Sequence, residues 1–501
     1  MIRFFLNGTA TEELNIPADM TLLRYLRQNQ SLVATKEGCG SGDCGACSVL
    51  LGEQINGNWQ YKAINSCITF VAQLHGKSLI TVDQLTNAEG EMHPAQSAMV
   101  EYHGSQCGFC TPGIIASLAA LHENLNGQQP DQQQILDALS GNLCRCTGYK
   151  PIIDAAEHMV DYQQDRTSMV QVWQPEAEQS APEAGLKAGE SQSWAPNSEA
   201  ELADILAKHP DARMVAGATD IALEVTQMQR PINKLVAINQ VQELRRIELE
   251  GDAILLGAAV TYAEAEELIQ QEYPEFAALL HRLGSRQVRN NGTIGGNIAN
   301  ASPIGDTPPV LLALNACIEL ASQKGSRWLP LQEFFLDYKK TELQAGEYLR
   351  RIRIPRLQEN QSLKVYKISK RLEDDISAVL AAFVVDLEQD AQGKTQVKSI
   401  RSGFGGMAAI PKAAEKTQQA LIGQELTLDN FSKAAELLSQ DFMPMSDVRA
   451  SSNYRLQVAR NLMKKCALEL IQPDTVSRIE SIHSVELSAP QTLGFAGGDH
   501  A

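Results

Sequence analysis

The chain has 501 residues, 44% of them hydrophobic and 21% charged, which excludes disorder along its whole length and implies roughly three or four domains. A formal net charge of −17 argues against nucleic acid as a partner, because holding a polyanion needs a basic face. Residues 1–10 carry no basic leader, and the apolar run 114–121 ends at His122 and Glu123, far short of the roughly 20 residues a bilayer span requires. A cytoplasmic protein without membrane contact is therefore expected.

Residues 1–84 alternate short β patterns with one helix at 21–29, whose Leu22, Leu23 and Leu26 form an apolar stripe. Asn56-Gly57 marks a hairpin turn, and the pattern suits a small β-grasp sheet. Residues 85–163 turn helical, with four segments, Pro112 and Pro151 at helix starts, and Gly127 past a helix end. From 164 to 192 apolar periodicity is lost and Ala, Glu, Gln and Pro accumulate, as in extended linkers. Residues 193–360 mix strands at 234–239 and 253–258 with short helices, an α+β pattern. Residues 361–470 run through three strands and two helices as a smaller carboxy-terminal domain, and 471–501 read as a loose tail. The expected class is α+β and multidomain.

Eight of the ten cysteines lie within the first 146 residues. In a reducing compartment they point to metal or redox chemistry rather than to disulfides. Cys39, Cys44 and Cys47 have the spacing C-x4-C-x2-C, with Cys67 downstream, as in plant-type 2Fe-2S ferredoxins. Gly38, Gly40, Gly42 and Gly45 let that loop wrap tightly and bring amides to the sulfurs. Residues 40–45 also fit G-x-G-x-x-G, but the strand-loop-helix context of a dinucleotide site is missing. Cys107 and Cys110 in QCGFCTPG, with Cys144 and Cys146 in GNLCRCTGY, make a second quartet. Structural zinc is the alternative, disfavoured by the ferredoxin spacing and by the C-x-C pair. His93, His103 and His122 are expected at the surface, and Cys317 and Cys466 as buried small hydrophobes.

The motifs CGSGDCGAC, QCGFCTPG and GNLCRCTGY closely resemble the iron-sulfur region of the molybdenum hydroxylases, the xanthine dehydrogenase and aldehyde oxidase group. The resemblance implies that the quartet Cys107, Cys110, Cys144 and Cys146 lies nearest a molybdopterin, with Gln106 and Cys146 approaching the pterin. The ferredoxin-like cluster then passes electrons onward. Two Gly-rich stretches, Val215-Ala216-Gly217-Ala218-Thr219-Asp220-Ile221 and 291–298 with Thr293, Gly296 and Asn297, would let amides and hydroxyls reach a pyrophosphate. Taken alone, each is more simply a structural turn. As an ordered pair they resemble the vanillyl-alcohol-oxidase-type FAD fold of the same family.

That resemblance puts Asp306 of ASPIGDTPPV on the flavin side of the cofactor, and Lys367 to Asp375 of YKISKRLEDDIS near the flavin ring and the nicotinamide. Asp374 and Asp375 are neighbours that point differently, so they do not form an acid/base pair. Family members often carry an aromatic where this chain has Leu283. No molybdopterin region is present in the sequence. The resemblance therefore implies a small iron-sulfur and FAD subunit of bacterial type, with molybdopterin on a separate large subunit. It further implies purine oxidation with NAD+ as acceptor, in a heterodimer or a dimer of heterodimers. Related aldehyde or N-heterocycle hydroxylation, and a stand-alone electron carrier, are the alternatives.

Overall fold

The computed structural model describes residues 1–474 and 477, except 56–57, 88, 163–183 and 373. The Asn56-Gly57 turn and most of the expected linker and tail lie outside the described residues. The first five strands, Ile2–Leu6, Thr9–Glu13, Ser48–Ile55, Asn58–Asn65 and Ser78–Ile80, form one sheet in the spatial order second, first, fifth, third, fourth. The first and fifth strands are parallel, and Leu22, Leu23 and Leu26 pack on the sheet as the apolar stripe requires. The helix expected at 21–29 is a single α-turn, Leu22–Arg24, that widens into a π-turn, Tyr25–Asn29. Tyr25 is fully buried, and in the wider turn its hydroxyl donates to Glu13 (2.7 Å) and accepts from Gln30 (2.7 Å).

Four helices follow, Pro94–Glu101, Thr111–Leu125, Gln132–Leu139 and Lys150–His158. Asp131 caps the third through the Gln134 amide (2.8 Å), and Asn126 and Gly127 end the second in left-handed geometry. The second helix lies directly on the cysteine loop of the first sheet: a Cβ on Gly113 would stand 2.1 Å from the Gly45 carbonyl oxygen. Neither backbone can yield without moving a cysteine loop. Gly113→Ala is therefore expected to destabilise the chain by about 2–3 kcal/mol in thermal unfolding. An unchanged midpoint would show that this contact is loose.

A four-stranded sheet (Gly185–Ala188, Ser191–Trp194, Lys234–Ala237, Arg213–Val215) and a five-stranded sheet (Ile247–Glu250, Ala253–Gly257, Tyr348–Pro355, Cys317–Ser322, Gly325–Pro330) build the next region. The strand Gly185–Ala188 lies inside the stretch that composition assigns to the linker. It is only four residues long with Leu186 as its one core residue, so it carries no apolar periodicity, and it is held by pairing with Ser191–Trp194. Strands Gln361–Ile368, Val379–Gln389 and Thr395–Gly405 then form a three-stranded sheet, followed by helices that end with Ser452–Ile471.

The central strand of that last sheet is apolar throughout 379–385 because both of its faces are covered. Leu380, Ala382 and Val384 join the core of the preceding region, whereas Val379, Ala381, Phe383 and Val385 join the core under the last helices. One strand thus fuses the two regions. The first sheet docks on this body through buried ions: Lys62 lies 3.3 Å from both Glu53 and Glu264, Arg245 lies 2.6 Å from Glu264, and Lys77 pairs with Glu53. Burial alone would raise the Glu264 carboxyl, but Lys62 and Arg245 outweigh it and hold the group at about 2. These ions line a cleft of about 1760 Å³ where three regions meet, away from the cysteine quartets.

Candidate functional site

The cysteines converge as two quartets. Cys47 and Cys67 Sγ are 3.3 Å apart, and Cys39 and Cys44 hydrogen-bond to each other. Main-chain amides of Ser41, Gly42, Ala46 and Cys67 donate to the sulfurs of Cys39, Cys67, Cys44 and Cys47 respectively. The Cys44 proton and the Ser41 amide draw Cys39 down to about 4 against the opposing effect of burial. Gly40, Gly42 and Gly45 all take positive φ, and a Cβ on Gly42 would meet Ile68 at 2.5 Å. Four sulfurs met by main-chain donors suit a negatively charged 2Fe-2S cluster, whose charge amides stabilise.

 In the helical region Cys107 pairs with Cys146 and Cys110 with Cys144. The Tyr149 hydroxyl accepts the Cys144 amide (2.9 Å), while the Tyr149 main-chain amide donates to Thr147 Oγ1 (3.1 Å). With Thr147 Oγ1 accepting from that amide, its hydroxyl proton is free to donate to Cys144 Sγ at 3.2 Å. Cys107 and Cys146 are exposed and Cys144 is buried. Gln106 is exposed beside them, and Phe109, Leu143 and Tyr149 form an exposed apolar rim.

The two loops touch. The Leu143 amide, next to Cys144, donates to the Cys44 carbonyl (3.0 Å), and Asn142 Nδ2 donates to the Gly45 carbonyl (3.1 Å). On its other side the ferredoxin-like region, through the cysteine loop and residues 69–73, meets the flavin region. Gln227 donates to the Cys39 carbonyl (3.1 Å), Gln73 to the Ala216 carbonyl (2.8 Å), and Asn291 to Thr69 Oγ1 (3.0 Å). None of these contacts has a spacing signal in the sequence.

The two Gly-rich stretches abut, because Gly217 lacks a Cβ that would lie 2.0 Å from the Asn291 carbonyl oxygen. Ala218 takes φ +64°, and the amides of residues 217–221 donate to no acceptor among the described residues. Such a run of free amides suits a pyrophosphate. Thr293 Oγ1 accepts from Gly296 N (2.9 Å), and Asn297 Oδ1 accepts from Thr307 Oγ1 (2.7 Å). Buried Asp306 accepts from Lys367 Nζ (2.7 Å) and from Ser377 Oγ (2.5 Å). Arg282, beside the half-buried Leu283, donates to the carbonyls of Lys367 (3.2 Å) and Leu372 (2.9 Å).

Two expectations are corrected. His93 is fully buried, because its Nδ1 accepts the Ala95 amide (2.9 Å) at the start of a helix while its Nε2 meets Glu123 (3.3 Å). Cys317 is half-buried on a strand rather than sealed in the core, whereas Cys466 is fully buried.

Four family models match in chain order: a 2Fe-2S iron-sulfur cluster binding domain at 4–72, a 2Fe-2S binding domain at 81–157, the FAD binding domain in molybdopterin dehydrogenase at 189–357, and the CO dehydrogenase flavoprotein C-terminal domain at 364–470. The chain belongs to the molybdenum hydroxylases, as their iron-sulfur and FAD-binding part. It is 32% identical over 494 residues to a xanthine dehydrogenase of Drosophila subobscura, covering 87% of this chain and 36% of that protein. It is 29% identical to the xanthine dehydrogenase/oxidase of Gallus gallus, covering 87% of this chain and 37% of that protein. The chain thus spans about a third of the length of the curated relatives it matches.

Among solved structures, a carbon monoxide dehydrogenase chain from Hydrogenophaga pseudoflava matches with TM-score 0.51 and 27% identity, over 55% of this chain and 94% of that one. A quinoline 2-oxidoreductase chain from Pseudomonas putida 86 matches with TM-score 0.50 and 26% identity, over 56% and 96%. No described helix of this molybdenum hydroxylase chain is long and apolar enough to cross a membrane.

Asp374 takes φ +48°. Burial, and then the charge of Asp43 in the cysteine loop, raise its carboxyl to about 6. A carboxyl raised on folding contributes stability below its ordinary value, and that contribution is lost as pH rises through the raised one. Thermal midpoints of the wild type should therefore fall between about pH 4 and pH 6, and Asp374→Asn should flatten that decline. Parallel curves for the two proteins would remove Asp374 as its source.

Proposed function

We propose that this chain carries electrons from a molybdopterin-bearing partner subunit to NAD+, in the oxidation of hypoxanthine and xanthine to urate. The observation that carries the reading is the position of the ferredoxin-like cysteine region, in contact with Leu143 through the Cys44 carbonyl and with the flavin region through Cys39 to Gln227 and Thr69 to Asn291. Cys39, Cys44, Cys47 and Cys67 hold one 2Fe-2S cluster, and Cys107, Cys110, Cys144 and Cys146 hold the other. Residues 215–221, with Thr293, Gly296, Asn297, Asp306 and Lys367, hold FAD. When bound, the clusters supply one-electron transfer, and FAD supplies the conversion of two electrons to a hydride.

The exposed rim of Phe109, Leu143 and Tyr149, beside Gln106 and Cys146, supports docking of the partner there, since exposed apolar patches mark interaction sites. The likeness to quinoline 2-oxidoreductase supports an N-heterocycle as the second reading of the substrate. Reduced protein should give two distinct paramagnetic 2Fe-2S signals, with Cys47→Ser altering one and Cys110→Ser the other. The chain alone should pass electrons from NADH to an artificial acceptor and leave xanthine untouched. Zinc in place of iron, or xanthine turnover without molybdenum or a partner, would defeat the reading.

A further inference from the structure

We propose that Gln287, a residue of the FAD-binding domain, is a positioning residue that seats the contact between the two cysteine loops, so that electron passage between the iron-sulfur sites depends on the docked flavin domain. This rests on the assignment of the two cysteine quartets above. Gln287 lies on the short helix Arg286–Arg289 and is 1% exposed. Its Nε2 is 2.9 Å from Asn142 Oδ1, 2.9 Å from Ser117 Oγ and 3.1 Å from the Ala138 carbonyl oxygen. Asn142 directly precedes Leu143, whose amide donates to the Cys44 carbonyl.

Main-chain groups fix which way both amides point. The carbonyls of Gly45 and Ala138 can only accept, so Asn142 turns Nδ2 to the first and Gln287 turns Nε2 to the second. Asn142 Oδ1 is then the acceptor for both Ser117 and Gln287. Gln287 Oε1 has no partner among the described residues and stands over Gly141, where a Cβ would lie 2.2 Å from it. The buried amide is thus kept for its donors while its acceptor goes unsatisfied, an arrangement that calls for a reason. Docking alone does not supply one, because Arg286 and Arg289 with Asp137, and Asn290 with the Ala63 carbonyl, already join the same helix region to the iron-sulfur regions.

The test uses the full chain loaded with FAD and both clusters. Gln287→Met keeps length and burial but removes both donors. Electron transfer between the clusters should slow about tenfold, the shift expected when one buried hydrogen bond no longer holds the seated loop. The magnetic interaction between the two reduced clusters should change with it, while reduction of the flavin by NADH keeps its rate. Asn142→Asp, which loses the donor to Gly45, should give the same spectroscopic change even if the methionine variant loads poorly. Arg286→Gln removes a neighbouring docking pair and should leave both readouts alone. Wild-type rate and interaction in Gln287→Met, or the same changes in Arg286→Gln, would overturn the proposal. A wild type lacking one of the two cluster signals would instead overturn the quartet assignment, and the proposal with it.

Discussion

Lys367→Met is expected to cost about 3–5 kcal/mol of stability, because it leaves the Asp306 carboxylate buried with its charge uncompensated. The side chains of Lys367 and Asp306 are 2% and 8% exposed, so water cannot replace the lost ammonium. The Ser377 hydroxyl still donates to Asp306, but it brings no charge. The pair also ties strand Gln361–Ile368 of the last region to residue 306 of the flavin region, and flavin content should fall with stability. Lys367→Met combined with Asp306→Leu should recover much of the loss, since removing both partners leaves no buried charge. Denaturation of the two variants decides the matter. A single variant as stable as the wild type would show that the site admits water.

Gly217→Ala should be the more damaging of two substitutions that look equivalent in the sequence. Its Cβ would fall 2.0 Å from the Asn291 carbonyl oxygen and 2.9 Å from Gly292 Cα, and backbone atoms held on both sides cannot step aside. The expected loss is about 3 kcal/mol, together with separation of the two Gly-rich stretches and loss of flavin. At Gly296 the same Cβ would meet only the Thr293 hydroxyl oxygen, at 2.8 Å. Gly296→Val should therefore keep the fold and both cluster signals while lowering the ratio of flavin to protein. Full flavin occupancy in Gly296→Val would mean that this stretch does not face the cofactor.

The cysteine quartets and the four helices of the second region were legible in the sequence because their signals are local. Ligand spacing, caps such as Asp131, and Gly127 past a helix end act over a few residues, and side-chain chemistry alone states what a C-x4-C-x2-C loop can hold. The tertiary structure alone decided which groups are buried and what partners them. His93 looks like any polar residue in the chain and is buried only because a helix start needs its Nδ1. The even and odd residues of 379–385 read as one apolar run, and only the layers on either side assign them to two cores. Gln287 meets Asn142 and Ser117 across 145 and 170 residues of sequence. A polar side chain carries no mark of so distant a partner, because the free energy of its hydrogen bond exists only once other regions have excluded water from both groups.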